Sequence, residues 1–322
     1  MGQAHDNQVI MRFSGDNMKS MKAIILAVLT LAVFASAGGH TAVFLNMPVG
    51  WRNIALGGSG VALGGDPIAG WFNPAGIQKM RGAGVSSGYS VLALDRSMTY
   101  VSGGWNIQND AAVALSWVHT GAGEIAGRNI SGNYTDDIQY GEDAIFLTFS
   151  KVVTPNFNIA GNVKYIQARL DEMSTYVVGF DAGVYGEAMN KSLSWGAVYQ
   201  NINMKYQWNS ADVYGSGNAS SADDDIPANL KAGAAYRLGM VPITATAEVE
   251  YYRMDEFRFR AGVLGNPIEE ATLAVGIDNG LPTFGAGYEF DAGFGKFGAG
   301  YSFRWEREGL SPRHSFDITA RF

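Results

Sequence analysis

From Ala83 to its last residue the chain reads in steps of two. Within 241–252, Val241, Ile243, Ala245, Ala247, Val249 and Tyr251 fall on one face, and Thr244, Thr246, Glu248 and Glu250 on the other. Leu230, Ala232, Ala234, Tyr236 and Leu238 alternate with Lys231, Gly233, Ala235 and Arg237. Phe257, Phe259, Ala261 and Val263 alternate with Arg258 and Arg260. Successive side chains of a strand point to opposite faces, so this period predicts strands with one apolar face and one small or charged face. About fourteen such runs occur, near 83–94, 97–107, 110–119, 142–152, 156–169, 174–188, 192–203, 227–238, 241–253, 256–265, 270–279, 282–291, 293–305 and 311–322. Most are long enough to cross a bilayer at a tilt, which takes about 9–11 residues.

A soluble sandwich would turn the apolar face inward. Here the small and charged face suits a narrow lumen and the apolar face suits lipid. Composition points the same way: Gly is 42 of 322 residues and charged residues are 16%, against usual levels of about 7% and about 25%. After the N-terminal apolar run no stretch is long enough for a membrane helix. The fold expected is therefore all-β, a transmembrane antiparallel barrel of about fourteen strands in the outer membrane of a Gram-negative-type bacterium. Outer-membrane lipid is its first expected partner.

Loop lengths fit one topology. If the first strand starts in the periplasm, the long connections 120–141 and 204–226 both face outward, and the alternate ones are short: Gln108-Asn109, Thr154-Pro155, Gly239-Met240 and Asn266-Pro267. The long connections carry Tyr134, Tyr140, Tyr206, Trp208 and Tyr214, aromatic anchors of the kind enriched at protein interfaces. The last run alternates to a terminal Phe322, which resembles the signal read by the barrel assembly machinery.

The N-terminus reads as a secretory signal peptide over 1–37. Lys19 and Lys22 precede the apolar run 23–34, and Ala35-Ser36-Ala37 offers a small-residue cleavage site. Met18 or Met21 could serve as the start, which would make the first residues an over-long start. There is no cysteine, hence no lipid-anchor site and no disulfide.

Between signal and barrel lies 38–82, whose stretch 44–76 is rich in Gly and small residues yet holds Trp51, Ile54, Leu56, Val61, Trp71 and Phe72. That is too much apolar surface for a solvated linker. The expectation is a plug inside the lumen, bent at Gly57, Gly58 and Gly76 and turned at Asn73-Pro74. The phrases Phe44-Leu45-Asn46, Ala55-Leu56-Gly57-Gly58, Val61-Ala62, Asp66 and Asn73-Pro74-Ala75-Gly76 resemble those that open the PorV/PorQ family of FadL-like outer-membrane barrels. Trp51-Arg52-Asn53 stands where Ala-Arg-Ala is commoner in that family. The resemblance implies an accessory of type IX-like protein secretion, with secretion-system components and cargo proteins as partners at the cell surface. The alternative, from the FadL-like relatives, is a channel for hydrophobic small molecules such as long-chain fatty acids.

Nothing in the sequence assembles a catalytic, metal or cofactor site. His5, His40, His119 and His314 are scattered, and Asp223-Asp224-Asp225 lacks regular ligand spacing. The net charge of −7 argues against nucleic acid. Glu248 and Glu250 read better as lumen ion pairs than as an acid–base couple. A two-residue turn at Gly239-Met240 would set Lys231 opposite Glu248. A three-residue turn near Met254 would set Glu248 near Arg260 and Glu250 near Arg258. A turn at Glu172-Met173 would set Lys164 opposite Asp181. Trp51, Trp71 and Phe72 would line a small apolar pocket beside the plug.

Overall fold

The computed structural model describes residues 41–107, 110–215, 217, 219–239, 241–253 and 256–322. The signal peptide and residues 108, 109, 240 and 254 of the turns named above lie outside them.

Among the described residues eighteen strands follow in order: β1 (Ala83–Val91), β2 (Arg96–Ile107), β3 (Ala111–Ala122), β4 (Ile125–Arg128), β5 (Tyr134–Ile138), β6 (Tyr140–Thr154), β7 (Phe157–Leu170), β8 (Met173–Ala188), β9 (Leu193–Ile202), β10 (Met204–Asn209), β11 (Ser221–Ile226), β12 (Asn229–Leu238), β13 (Ile243–Tyr252), β14 (Glu256–Gly265), β15 (Ala271–Asp278), β16 (Leu281–Asp291), β17 (Lys296–Arg304) and β18 (Arg313–Arg321). Fourteen of them close into one antiparallel barrel, sealed where β1 pairs with β18 from Gly84 opposite Arg321 to Val91 opposite His314. The other four form two hairpins, β4–β5 and β10–β11, standing on the same end of the barrel. The long connections are thus paired ribbons. Among the described residues no helix is long and apolar enough to cross a membrane.

Alternation decides which side chain faces where. In β6, Ala144, Phe146, Thr148 and Ser150 are buried, whereas Ile145, Leu147 and Phe149 between them are exposed. Outward Val85, Val101, Leu115, Val163, Val178 and Phe284 continue this apolar belt around the cylinder. Stacked rings such as Tyr251 on Phe257 and Phe284 on Phe303, with centroids 4.8 and 4.7 Å apart, join neighbouring strands across it.

Two turns differ from the sequence expectation and move partners by two residues. The β12–β13 ladder closes on Leu238 opposite Ile243, a longer connection than a two-residue turn, so Lys231 stands opposite Glu250 instead of Glu248. The β7–β8 ladder closes on Leu170 opposite Met173, with Asp171 in the left-handed region at φ 55°. The turn is therefore Asp171-Glu172, and Lys164 stands opposite Gly179 while Asp181 faces Asn162. The β13–β14 ladder runs from Tyr252 opposite Glu256, which sets Glu248 opposite Arg260 and Glu250 opposite Arg258.

Residues 41–82 thread the lumen. The chain enters beside the hairpin end, where Asn46 hydrogen-bonds Asn229 at the start of β12. It crosses mid-barrel through the helical turns Trp51–Ala55, Pro67–Trp71 and Pro74–Lys79, and leaves at the opposite end, where Asn106 donates to the Met80 carbonyl at 3.2 Å. Pro67 and Pro74 each open their helical turn, where a missing N–H removes no bond.

A closed barrel resists unfolding by detergent. The purified protein should therefore migrate faster in gels when unboiled than after boiling; equal mobility in both lanes would count against closure.

Candidate functional site

The interior has two unlike walls. The wall formed by β2, β3, β6 and β7 is apolar near the hairpin end. Met98, Tyr100, Val118, Phe146 and Ile166 pack there in one cluster with plug residues Phe44, Leu45, Val49, Ile68, Trp71 and Phe72. Trp71 lies between Phe44 and Phe146, with ring centroids 6.2 and 5.7 Å away. Its indole N–H donates to the Met47 carbonyl at 2.9 Å, so the ring is buried without a lost hydrogen bond. Trp51 stands apart from this cluster, against Gly287 and Gly300 and beside Ala55 and Leu56. The expected pocket of Trp51, Trp71 and Phe72 is thus split: the last two share a site and Trp51 does not.

The opposite wall is ionic. Arg260 in β14 reaches Glu248 at 3.1 Å, Glu250 at 2.8 Å and Asp278 at 3.0 Å, so one guanidinium serves carboxylates from β13 and β15. Its planar fork of five donors makes this arrangement available to Arg and not to Lys. Lys231 adds a contact to Glu250 at 3.4 Å, and Arg304 meets Asp278 at 2.9 Å. Arg258, opposite Glu250 in register, instead bonds Glu256 at 3.3 Å and lies over the Tyr252 ring at 3.4 Å. Its long stem carries the guanidinium along the strand, out of the Glu250 cluster. A second pair lies at the edge of the apolar wall, where Lys164 of β7, one inward position from Ile166, meets Asp181 of β8 diagonally at 2.8 Å. Asp181 also accepts from Asn162 at 2.7 Å and from the Asn201 backbone at 2.9 Å, where β9 bulges with Asn201 left-handed at φ 59°. Asn tolerates that conformation better than most residues.

The plug's irregular backbone cannot satisfy itself, and barrel side chains complete it. Glu248 accepts from the Val61 N–H at 3.0 Å, Thr283 donates to the Ala55 carbonyl at 2.8 Å, Asn162 to the Gly70 carbonyl at 2.8 Å and Gln200 to the Trp71 carbonyl at 2.9 Å. Asn73 donates at 2.9 Å to both the Val61 and Val184 carbonyls while its oxygen accepts the Ala75 N–H, tying plug to plug and plug to β8. Pro74 follows, and Gly76 passes against the Leu63 carbonyl. Gly58 lies on the Arg260 side chain. Gly57 passes directly against the barrel backbone: its φ is 71°, and a Cβ would overlap the Ile277 backbone. Only glycine meets both demands.

Hairpin β10–β11 folds over the mouth. Met204 sits where a side chain at Gly179 would stand, Gln207 and Thr175 exchange hydrogen bonds of 3.0 and 3.2 Å, and Met204, Tyr206 and Ile226 join the apolar cluster. Tyr206 is buried and donates to Glu142 at 3.0 Å; Tyr140 donates to the same carboxylate at 2.6 Å. Burial and the nearby Glu142 push the Tyr206 hydroxyl well above the usual phenol range, so it remains a donor. These two rings are therefore engaged inside the mouth. Tyr134, on β4–β5, is exposed. Phe322 lies at the far rim with its ring edge-on to Phe297 at 6.1 Å. Asp278 and Glu142 were missed from sequence, and Asn162 and Arg304 fall on the polar face of their runs with no role assigned. Each sits at an inward-facing position, so the parity of its own strand marks it as lumen-facing, but its partners lie on other strands.

Replacing Arg260 with Met should strip three carboxylates of their shared cation and destabilise the barrel by about 3–5 kcal/mol, read from urea unfolding in lipid vesicles. A change under about 1 kcal/mol would show that Lys231 and Arg304 suffice. Replacing Gly57 with Val should unseat the plug and raise conductance in planar bilayers; conductance equal to the parent's would mean the plug does not close the lumen.

No protein-family model matches this chain, and no curated protein matches it. Solved structures do. The Pseudomonas putida toluene transporter TodX superposes with a TM-score of 0.59 at 14% identity, over 85% of this chain and 96% of that one. The Ralstonia pickettii toluene transporter TbuX gives 0.63 at 12%, over 85% and 98%. A Pseudomonas aeruginosa FadL homologue gives 0.58 at 12%, over 84% and 97%. At these identities the likeness is one of fold, and that fold is the closed barrel described above.

Proposed function

We propose that the protein is an outer-membrane channel for hydrophobic small molecules. The observation that carries the reading is the two-sided lumen. Polar bonds fix the plug to β8, β9, β13 and β16 and, away from the mouth, to β7 and β2 through Asn162 and Asn106, whereas its Phe44, Trp71 and Phe72 face meets β2, β3, β6 and β7 through apolar contact near the mouth. A hydrophobic solute can replace an apolar contact without leaving a buried polar group unpaired; it cannot replace the hydrogen bonds of the other wall. The route therefore follows the apolar wall, past Met98, Val118, Phe146 and Ile166. The belt of outward apolar residues and the fold shared with a toluene transporter support the same reading.

The secretion-accessory role implied by the PorV/PorQ resemblance gains no support from these comparisons. Two of the aromatic anchors it would use, Tyr206 and Tyr140, are bonded to Glu142 inside the mouth.

The test is uptake of toluene and of a long-chain fatty acid by cells that carry this protein in place of their own hydrophobe channels. Val118→Asp should lower uptake about tenfold or more, because a carboxylate on the apolar route is costly to bury. The variant must still be heat-modifiable on gels. Uptake no greater than that of cells lacking the protein would refute the channel reading, and loss of surface display of a secreted partner on its deletion would replace it with the secretion role.

A further inference from the structure

Under the β10–β11 hairpin lies a cavity of about 560 Å3, lined in part by Tyr140, Glu142, Tyr206, Trp208, Asp224 and Arg253. It adjoins the apolar cluster, since Ala42 and Tyr206 belong to both. Its chemistry differs from that of the ionic wall. Glu142 is only 3% exposed, and each of its oxygens accepts from one tyrosine hydroxyl. Among the described residues it forms no ion pair. Elsewhere in the lumen the buried acids Asp181, Glu248, Glu250 and Asp278 each have a cation within 4 Å, and of the buried acids among the described residues only Asp317 shares with Glu142 the lack of an ion pair. The two hydroxyl donors of Glu142 offset part of the cost of burying this carboxylate, and a cation in the cavity would offset more of it. Asp223 and Asp225 also line the cavity; Lys205 neutralises the first at 2.7 Å. Asp225 stands opposite Lys205 in the β10–β11 ladder, which leaves Glu142 and Asp224 beside one lining cation, Arg253. Trp208 keeps its indole N–H on Asp224 at 3.1 Å and meets the Tyr206 ring edge-on at 5.9 Å.

We infer that this cavity receives an organic cation, an ammonium head on an apolar body. The head is drawn by Glu142 and Asp224, which outnumber the lining cation Arg253, and by the rings of Tyr140 and Trp208, whose quadrupoles attract cations. The body lies toward Ala42 and the apolar cluster. The inference rests on the channel reading for what happens after capture, and it narrows the solute from any hydrophobe to a cationic one.

The experiment uses the purified protein in detergent, titrated with benzyltrimethylammonium and with its neutral carbon isostere, neopentylbenzene. Calorimetry and tryptophan fluorescence follow binding. The cation should bind about tenfold tighter at low salt, a preference that salt erodes. Glu142→Gln and Trp208→Leu should each weaken the cation about fivefold or more and leave the isostere unchanged. Should Glu142→Gln fail to fold, as read from heat-modifiability, Trp208→Leu and the salt dependence decide. Equal binding of the two probes, or cation binding indifferent to both substitutions, overturns the inference. Toluene uptake separates the readings. Transport without cation preference leaves the channel standing and removes this site. Cation preference without transport of any hydrophobe does the reverse.

Discussion

Fourteen strands close a cylinder wider than their own inward side chains can fill; eight already leave only room for side chains or one small ligand. Everything inside this barrel follows from that surplus width. It is filled by 41–82, a segment with little regular structure, whose short helical turns pair only part of its own amides and carbonyls. The inward face of the barrel is therefore written for the plug: Thr283, Asn162, Gln200 and Glu248 each meet a plug backbone group. Glycine at Gly57 allows the two backbones to touch where no side chain would fit.

The ionic wall is a second consequence. Charges buried in a lumen are tolerated only when paired and hydrogen-bonded. The barrel geometry makes pairing natural, because inward positions on adjacent strands lie within reach both directly and diagonally. Arg260 uses its direct neighbours Glu248 and Asp278 together with Glu250 on the diagonal. Lys164 uses a diagonal, since its direct partner is Gly179. The cluster knits β13, β14, β15 and β17 through side chains as well as through the ladder.

The barrel was legible in the sequence because its signal repeats. Alternation in 230–263 assigns inside and outside before any partner is known, and fourteen repetitions leave little room for another fold. Partners were less legible. A turn two residues longer, or one shifted along the chain by a single residue, moves pairing by two, and a shift of two keeps every side chain on its own face. Alternation thus cannot tell whether Lys231 faces Glu248 or Glu250, and the β12–β13 connection decided for Glu250. Arg258 was assigned by register alone, yet register fixes a Cα and not the end of a long side chain, which here turns to Glu256 and Tyr252. Trp51 and Trp71 lie 20 residues apart in a chain without periodicity, so nothing in the sequence says that they pack on different sides of the lumen.

The mouth shows why long connections in such a barrel need not be idle. A ribbon leaving β9 could stand free, as β4–β5 does with Tyr134 and Ile130 exposed. Instead β9 bulges at Asn201, a second left-handed residue follows at Asn203, and the chain turns inward over β8. Asp181 accepts the Asn201 N–H, so the carboxylate that pairs Lys164 also fixes the bend that sends β10 over the opening. Met204 then lands on Gly179, two residues from Asp181 on the same face of β8. The Lys164–Asp181 pair and the mouth cover are in this way one structure. A change at Lys164 or Asp181 acts on the bend, and through the bend on Tyr206, Glu142 and the apolar cluster beneath them.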